Sequence, residues 1–172
     1  MALKNSFIAV LLIGATAMAL GCSVNKAQGG FRQQALAAPS GITETDVHGQ
    51  LLENGKQDET DWRTAPEFTG LLQVESPAFP NPVDQSELIK INLFIRGSAQ
   101  LNQLYAYIFR PQTSSLFGPL NITTTGGSKG FVTITLSPAS FAQTGVGASA
   151  LYRLLLYNGH NQIVTYGDIK VK

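Results

Sequence analysis

Leu88-Ile89-Lys90-Ile91-Asn92-Leu93-Phe94-Ile95-Arg96 decides the fold class. Successive side chains of a strand point to opposite faces. Ile89, Ile91, Leu93 and Ile95 therefore share one face, with Lys90, Asn92 and Arg96 opposite, the mark of a half-buried strand. Gln103 to Arg110 repeats the alternation with a difference. Leu104, Ala106 and Ile108 share one face while Tyr105, Tyr107 and Phe109 share the other, so both faces are apolar. Such a strand is covered on both sides or leaves an aromatic patch open for a partner.

Further along, Val132, Ile134 and Leu136 alternate with Thr133 and Thr135, and Ala150 to Tyr157 is apolar almost throughout, as in a central strand. Gln162 to Tyr166 returns and Asp168 to Val171 closes the chain. Thr69 to Glu75 forms a first strand and Phe117 to Thr123 a weaker one. Between them lie turn signals. Ser76 to Pro82 carries three prolines and cannot sit in a sheet centre. Thr125 to Gly130 is a turn cluster and Ser137 to Ser149 a loop. Asn158-Gly159-His160-Asn161 reads as a hairpin turn, because Asn-Gly tolerates positive φ. About seven short strands punctuated this way predict an all-β, immunoglobulin-like antiparallel sandwich over residues 61–172. No helix longer than a turn or two is expected beyond the export signal.

The N-terminus reads differently. Met1 to Ser6 carries one basic residue, Lys4, and Phe7 to Leu20 is apolar and uncharged. That stretch falls short of the roughly 20 residues a spanning helix needs, and it fits the apolar core of a removable export signal over residues 1–21. It runs into Ala19-Leu20-Gly21-Cys22, and Cys22 is the sole cysteine. These residues resemble the lipobox of bacterial lipoproteins, with Ala19 where Leu is commonest. The resemblance implies cleavage before Cys22, lipidation of its thiol, and a membrane anchor. Ser23 in the next position implies, by the same likeness, sorting to the outer membrane. A lone thiol in an exported chain allows no internal disulfide, so stability must come from packing.

Residues 22–60 are rich in Gln, Ala, Gly, Asn and Thr and show no sustained period. They are expected to be a flexible tether, with a transient helical turn or two over Phe31 to Ala38. A coil of that length spans about 35 Å. Asp61 to Phe68 then brings the only Trp, Trp62, into polar company. Packing against the chain's own domain is the plainer role for an indole of that size, and partner binding the sharper one.

Charge is split along the chain. Cys22 to Glu87 holds ten acidic and four basic residues; Leu88 to Lys172 holds one acidic residue, Asp168, and seven basic ones. The acidic segment either lies on the basic domain or the two surfaces are separately screened within about 8 Å. With Lys4 removed, eleven basic residues face eleven acidic ones, so nothing suggests a polybasic nucleic-acid or membrane patch.

Phe79-Pro80-Asn81-Pro82-Val83 followed by an alternating strand resembles the opening of C-terminal sorting domains of the type IX secretion system and related immunoglobulin-like modules. Leu151-Tyr152-Arg153, the Asn158-Gly159 turn and the basic Lys170-Val171-Lys172 ending extend the likeness over Phe79 to Lys172. It implies a shared sandwich. Here no cargo precedes it, and Arg110-Pro111-Gln112 stands where the family's central hairpin carries glycine. The sorting role is not carried over, since a fold does not carry function. Pro80 and Pro82 make sense as an edge device, lacking backbone donors and fixing φ.

No catalytic constellation emerges, and no cofactor is implied. His48 lies in the expected tether and His160 in a turn, and nucleophilic catalysis needs a base held within hydrogen-bond reach. Asp58, Glu59, Asp61, Glu67, Asp84 and Glu87 are read as solvated acids. Calcium would accept such oxygens, but the spacing lacks a full calcium-loop signature. The expected protein is thus non-enzymatic: a lipid-anchored binding module for an envelope protein or polymer, or else an accessory subunit of an outer-membrane or secretion complex. Trp62, Tyr105, Tyr107 and Phe109 are its candidate contact residues, and no metal site is expected.

Overall fold

Ile89–Ile95 forms the expected strand, and the rest of the sandwich is built around it. The computed structural model describes residues 26–97, 101–141 and 150–172. Among the described residues eight strands follow in order: β1 Leu72–Phe79, β2 Ile89–Ile95, β3 Leu104–Arg110, β4 Ser115–Phe117, β5 Ile122–Gly126, β6 Gly130–Leu136, β7 Leu151–Asn158 and β8 Ile163–Lys170. They make two four-stranded sheets, ordered β1-β2-β6-β5 and β4-β3-β7-β8. Every strand pairing is antiparallel. This is the immunoglobulin-like order, with β4 added at the edge of the second sheet.

The inner faces are those the alternation assigns. Ile89, Ile91, Leu93, Val132 and Ile134 of the first sheet meet Ala106, Ile108, Leu154 and Leu156 of the second in one buried core. β7 is buried along nearly its whole length, as its unbroken apolar run requires.

Three details depart from the sequence expectation. β1 continues through Pro77 to Phe79, which is possible because it is an edge strand, and its register with β2 shifts on either side of Ser76. The weak Phe117–Thr123 strand is two strands in different sheets, β4 beside β3 and β5 beside β6, the chain crossing over between them. The positive φ of the final hairpin belongs to Asn161 and not to the Asn-Gly pair. Asn158 organises that turn, its Oδ1 accepting from the backbone N–H groups of His160 and Gln162.

The largest correction concerns the expected tether. Residues 26–35 form an α-helix, α1, and Phe31 and Ala35 are buried. The two are four apart, so they share a helix face. Gly29 and Gly30 inside it are poor helix formers, and helices in proteins draw most of their stability from packing an apolar face. This helix docks on the outer face of the second sheet, where the Phe31 and Tyr166 rings lie 5.2 Å apart. Burying one such ring contributes about 1.5–3 kcal/mol. Ile42, Thr43 and Thr45 are also buried beyond it.

Residues 61–65 then run along the open edge of β8. Trp62 N–H donates to the Tyr166 carbonyl at 2.7 Å and Ala65 N–H to that of Val164 at 2.8 Å. This pairing protects an edge that would otherwise template aggregation. Where Pro-Asn-Pro ends β1, the chain switches sheets: Val83 bridges Val171 in parallel.

Candidate functional site

The polar centre of the molecule lies where the N-terminal segment meets β7 and β8. Arg153 interrupts the apolar run of β7 and is 3% exposed. Its partner is Asp168 of β8, opposite in register and fully buried. The guanidinium grips the carboxylate as a fork, Nε to Oδ1 at 2.5 Å and Nη2 to Oδ2 at 2.9 Å. Nη1 donates to the Gln34 carbonyl at the end of α1, 2.6 Å away, and the group lies 4.9 Å over the Tyr166 ring. Oδ2 of Asp168 also accepts from Ser40 N–H at 2.9 Å. Desolvation offsets much of the attraction in such a buried pair, so removing one partner costs more than the pair itself contributes.

Asn81, between its two prolines, is the second clasp. Its side-chain amide donates to the carbonyls of Thr43 and Asp168, and its Oδ1 accepts from Lys170 N–H. Its own backbone exchanges hydrogen bonds with Thr45. The motif's structural reading therefore extends from the prolines to the residue between them.

Asp58 and Asp61 complete the cluster. One carboxylate oxygen from each of Asp58, Asp61 and Asp168 lies within 4.8 Å of the other two. Asp61 is 8% exposed; its Oδ1 accepts from Asp168 N–H, and its Oδ2 is buried without a partner. Burial, with the neighbouring carboxylates of Asp168 and Asp58 adding repulsion, pushes its pKa up to about 8. Asp58 is held below its ordinary value chiefly by the Thr60 hydroxyl, which donates to its Oδ1 at 2.6 Å. A cleft of about 470 Å³, lined in part by Thr43, Gln57, Asp58, Asp61 and Pro77, opens onto these acids.

The candidate contact residues are distributed unevenly. Trp62 is 6% exposed and belongs to the core, lying over Gly167 of β8, where the absence of a side chain makes room for the indole. Tyr105 is exposed, Tyr107 is half-buried edge-on to Tyr157 at 5.2 Å, and Phe109 is buried. The three are therefore no continuous exposed stripe. Cys22, like the export signal, lies outside the described residues. His48 and His160 are both exposed, in turns far apart along the chain. Among the described residues, no helix is long and apolar enough to cross a membrane.

Two of the clasp residues carried a sequence signal that motif reading passes over. Arg153 is the single charge in an apolar strand, and Asp168 the single acid after Glu87.

Among the described residues the most exposed aromatic is on the other sheet. Phe131 of β6 is 70% exposed and packs edge-on against Phe94 of β2, ring centres 5.0 Å apart. The cross-strand pairs Thr123–Thr135, Thr125–Thr133 and Asn92–Thr133 put hydroxyls and an amide on the same outer face. No protein-family model, curated protein or solved structure matches the chain.

Proposed function

We propose that the chain is a lipoprotein, held to the outer membrane by acyl chains on Cys22, whose sandwich is a non-enzymatic binding module for an envelope protein or polymer. The observation that carries the binding role is the exposed Phe131 ring beside Phe94 on a sheet face rich in Thr and Asn. The chain's own helix covers the β8 part of the other sheet's outer face, so the Phe131 face carries the more exposed aromatic surface. Aromatic faces give contact area at low entropic cost while neighbouring hydroxyls supply hydrogen bonds, the division of labour found at binding surfaces. This reading moves the contact residues from Trp62, Tyr107 and Phe109 to Phe131 and Phe94, with Tyr105 at the periphery of the opposite sheet.

The anchor is supported by Ala19-Leu20-Gly21-Cys22 at the end of an apolar stretch. Acylation with more than one chain gives stable attachment. The experiment compares wild type with Cys22→Ala and Phe131→Ala in the same cells. Intact mass should show cleavage before Cys22 plus acyl chains, with membrane association lost in Cys22→Ala. Phe131→Ala should remain anchored and folded while losing material that cross-links to the wild type. An unmodified wild-type chain sinks the anchor, and unchanged cross-linking in Phe131→Ala sinks the binding face.

A further inference from the structure

We propose that Asp58, Asp61 and Asp168 bind a divalent cation, calcium by the chemistry of their oxygens, which fastens the N-terminal segment to β8. Three acids close together would by themselves mean little, since acidic groups gather on many surfaces. The second observation is the state of Asp61. Its side chain is more than nine-tenths buried among these acids, and its Oδ2 has no hydrogen-bond partner. A buried carboxylate oxygen without a donor is costly, and a cation is one of the few things that satisfies it.

Charge points the same way. Arg153 offsets one of the three carboxylates through its fork on Asp168, and exposed Arg63 adds a screened attraction at Asp58. With all three acids ionised about two negative charges remain in a partly buried volume, which matches a divalent ion whose binding displaces the Asp61 proton. The geometry leaves room for it. Both Thr60 donors fall on Oδ1 of Asp58, while its Oδ2 turns toward Gly41, where a built Cβ would come within 3.0 Å. The donor set is oxygen only, which selects hard cations over zinc or copper. The acids come from two loop positions and one strand, and calcium tolerates that irregularity better than magnesium, which demands near-ideal octahedral geometry. The cleft beside Asp58 and Asp61 provides an entry path and space for completing waters.

The three acids connect segments far apart in sequence: the turn at 58–61 and the middle of β8, whose Asp168 also holds Ser40. An ion there would join the chain leaving α1 to the last strand of the sandwich.

The test uses the full-length protein, stripped with chelator and titrated with CaCl₂ by calorimetry, with Tb³⁺ luminescence excited through Trp62 as a second readout. Saturable binding of one Ca²⁺ with Kd no weaker than about 10⁻³ M is expected, together with a rise in melting temperature. Asp58→Asn and Asp61→Asn should each weaken binding at least about tenfold. Absence of saturable Ca²⁺ binding overturns the proposal, as does unchanged affinity in either folded variant. If Asp61→Asn does not fold, Asp58→Asn, altered at a more exposed residue, decides alone. A protein that answers only to pH, and not to Ca²⁺, holds a proton at Asp61 where the cation was placed.

Discussion

Replacing Gly167 with Ala tests whether the N-terminal segment is part of the folded unit. Gly167 sits in the middle of β8, and a Cβ built on it overlaps the Cε2, Nε1 and Cδ2 atoms of the Trp62 indole. No small rotation relieves contact with three ring atoms. Either β8 shifts, at the roughly 1–3 kcal/mol typical of overpacking, or the indole leaves its site. Ejection forfeits burial on the scale of a Trp→Ala change, about 3–5 kcal/mol. We expect a loss of about 3 kcal/mol, or about 6–12 °C in melting temperature for a chain of this size. Because Trp62 is the only tryptophan, its fluorescence reports the site without ambiguity. Ejection should shift emission to the red and raise acrylamide quenching, alongside the lower transition seen by circular dichroism. In a Trp62→Ala background the same Gly167→Ala change should cost little, giving an interaction energy of about 2–3 kcal/mol between the two positions. A Gly167→Ala protein with unshifted emission and an unchanged transition would refute the reasoning that this glycine exists to seat the indole.

Asn81→Ala removes two donations to buried carbonyls and one acceptance from Lys170 N–H. With about 1–3 kcal/mol at stake per buried group left unpaired, the urea midpoint should fall by the equivalent of at least about 3 kcal/mol with the slope unchanged. In chelator, stability should decline as pH rises from about 4 to about 8, because folded Asp61 keeps its proton up to about 8 while the unfolded chain releases it near 3.8. The unfolded state then binds fewer protons than the folded one, giving a slope of up to about −1.4 kcal/mol per pH unit. Asp61→Asn should remove that slope; an identical profile in the variant would place the titrating group elsewhere.

What could be read from the sequence was set by periodicity. β2, β6 and β7 announce themselves because each buries a face that repeats every second residue or an unbroken apolar run. Tyr105, Tyr107 and Phe109 opposite Leu104, Ala106 and Ile108 correctly signalled a strand with two apolar faces. The cover over the second sheet was invisible for a different reason. Phe31, Ala35, Ile42 and Trp62 are too widely spaced to form a sustained period, and Phe31 and Trp62 pack on Tyr166 and Gly167 of β8, more than a hundred residues away in sequence. Composition reads such a segment as disordered because composition knows nothing of a preformed surface. The same limit hid the cluster. Asp58 and Asp61 were visible as acids, but Asp168 lies over a hundred positions on, and only the β7–β8 hairpin brings it to them.

The docked helix changes the protein's reach. A flexible leash of forty residues would have let the sandwich sample a hemisphere about 35 Å deep. With Cys22 acylated as proposed, only residues 23–25 separate the anchor from a helix seated on the domain. Even fully extended, four residue steps cover at most about 14 Å. The sandwich is then a fixture of the headgroup layer, more rivet than tethered float. Whatever binds it must itself come to the bilayer, and the helix-covered sheet and the open sheet will differ in how freely they can be approached.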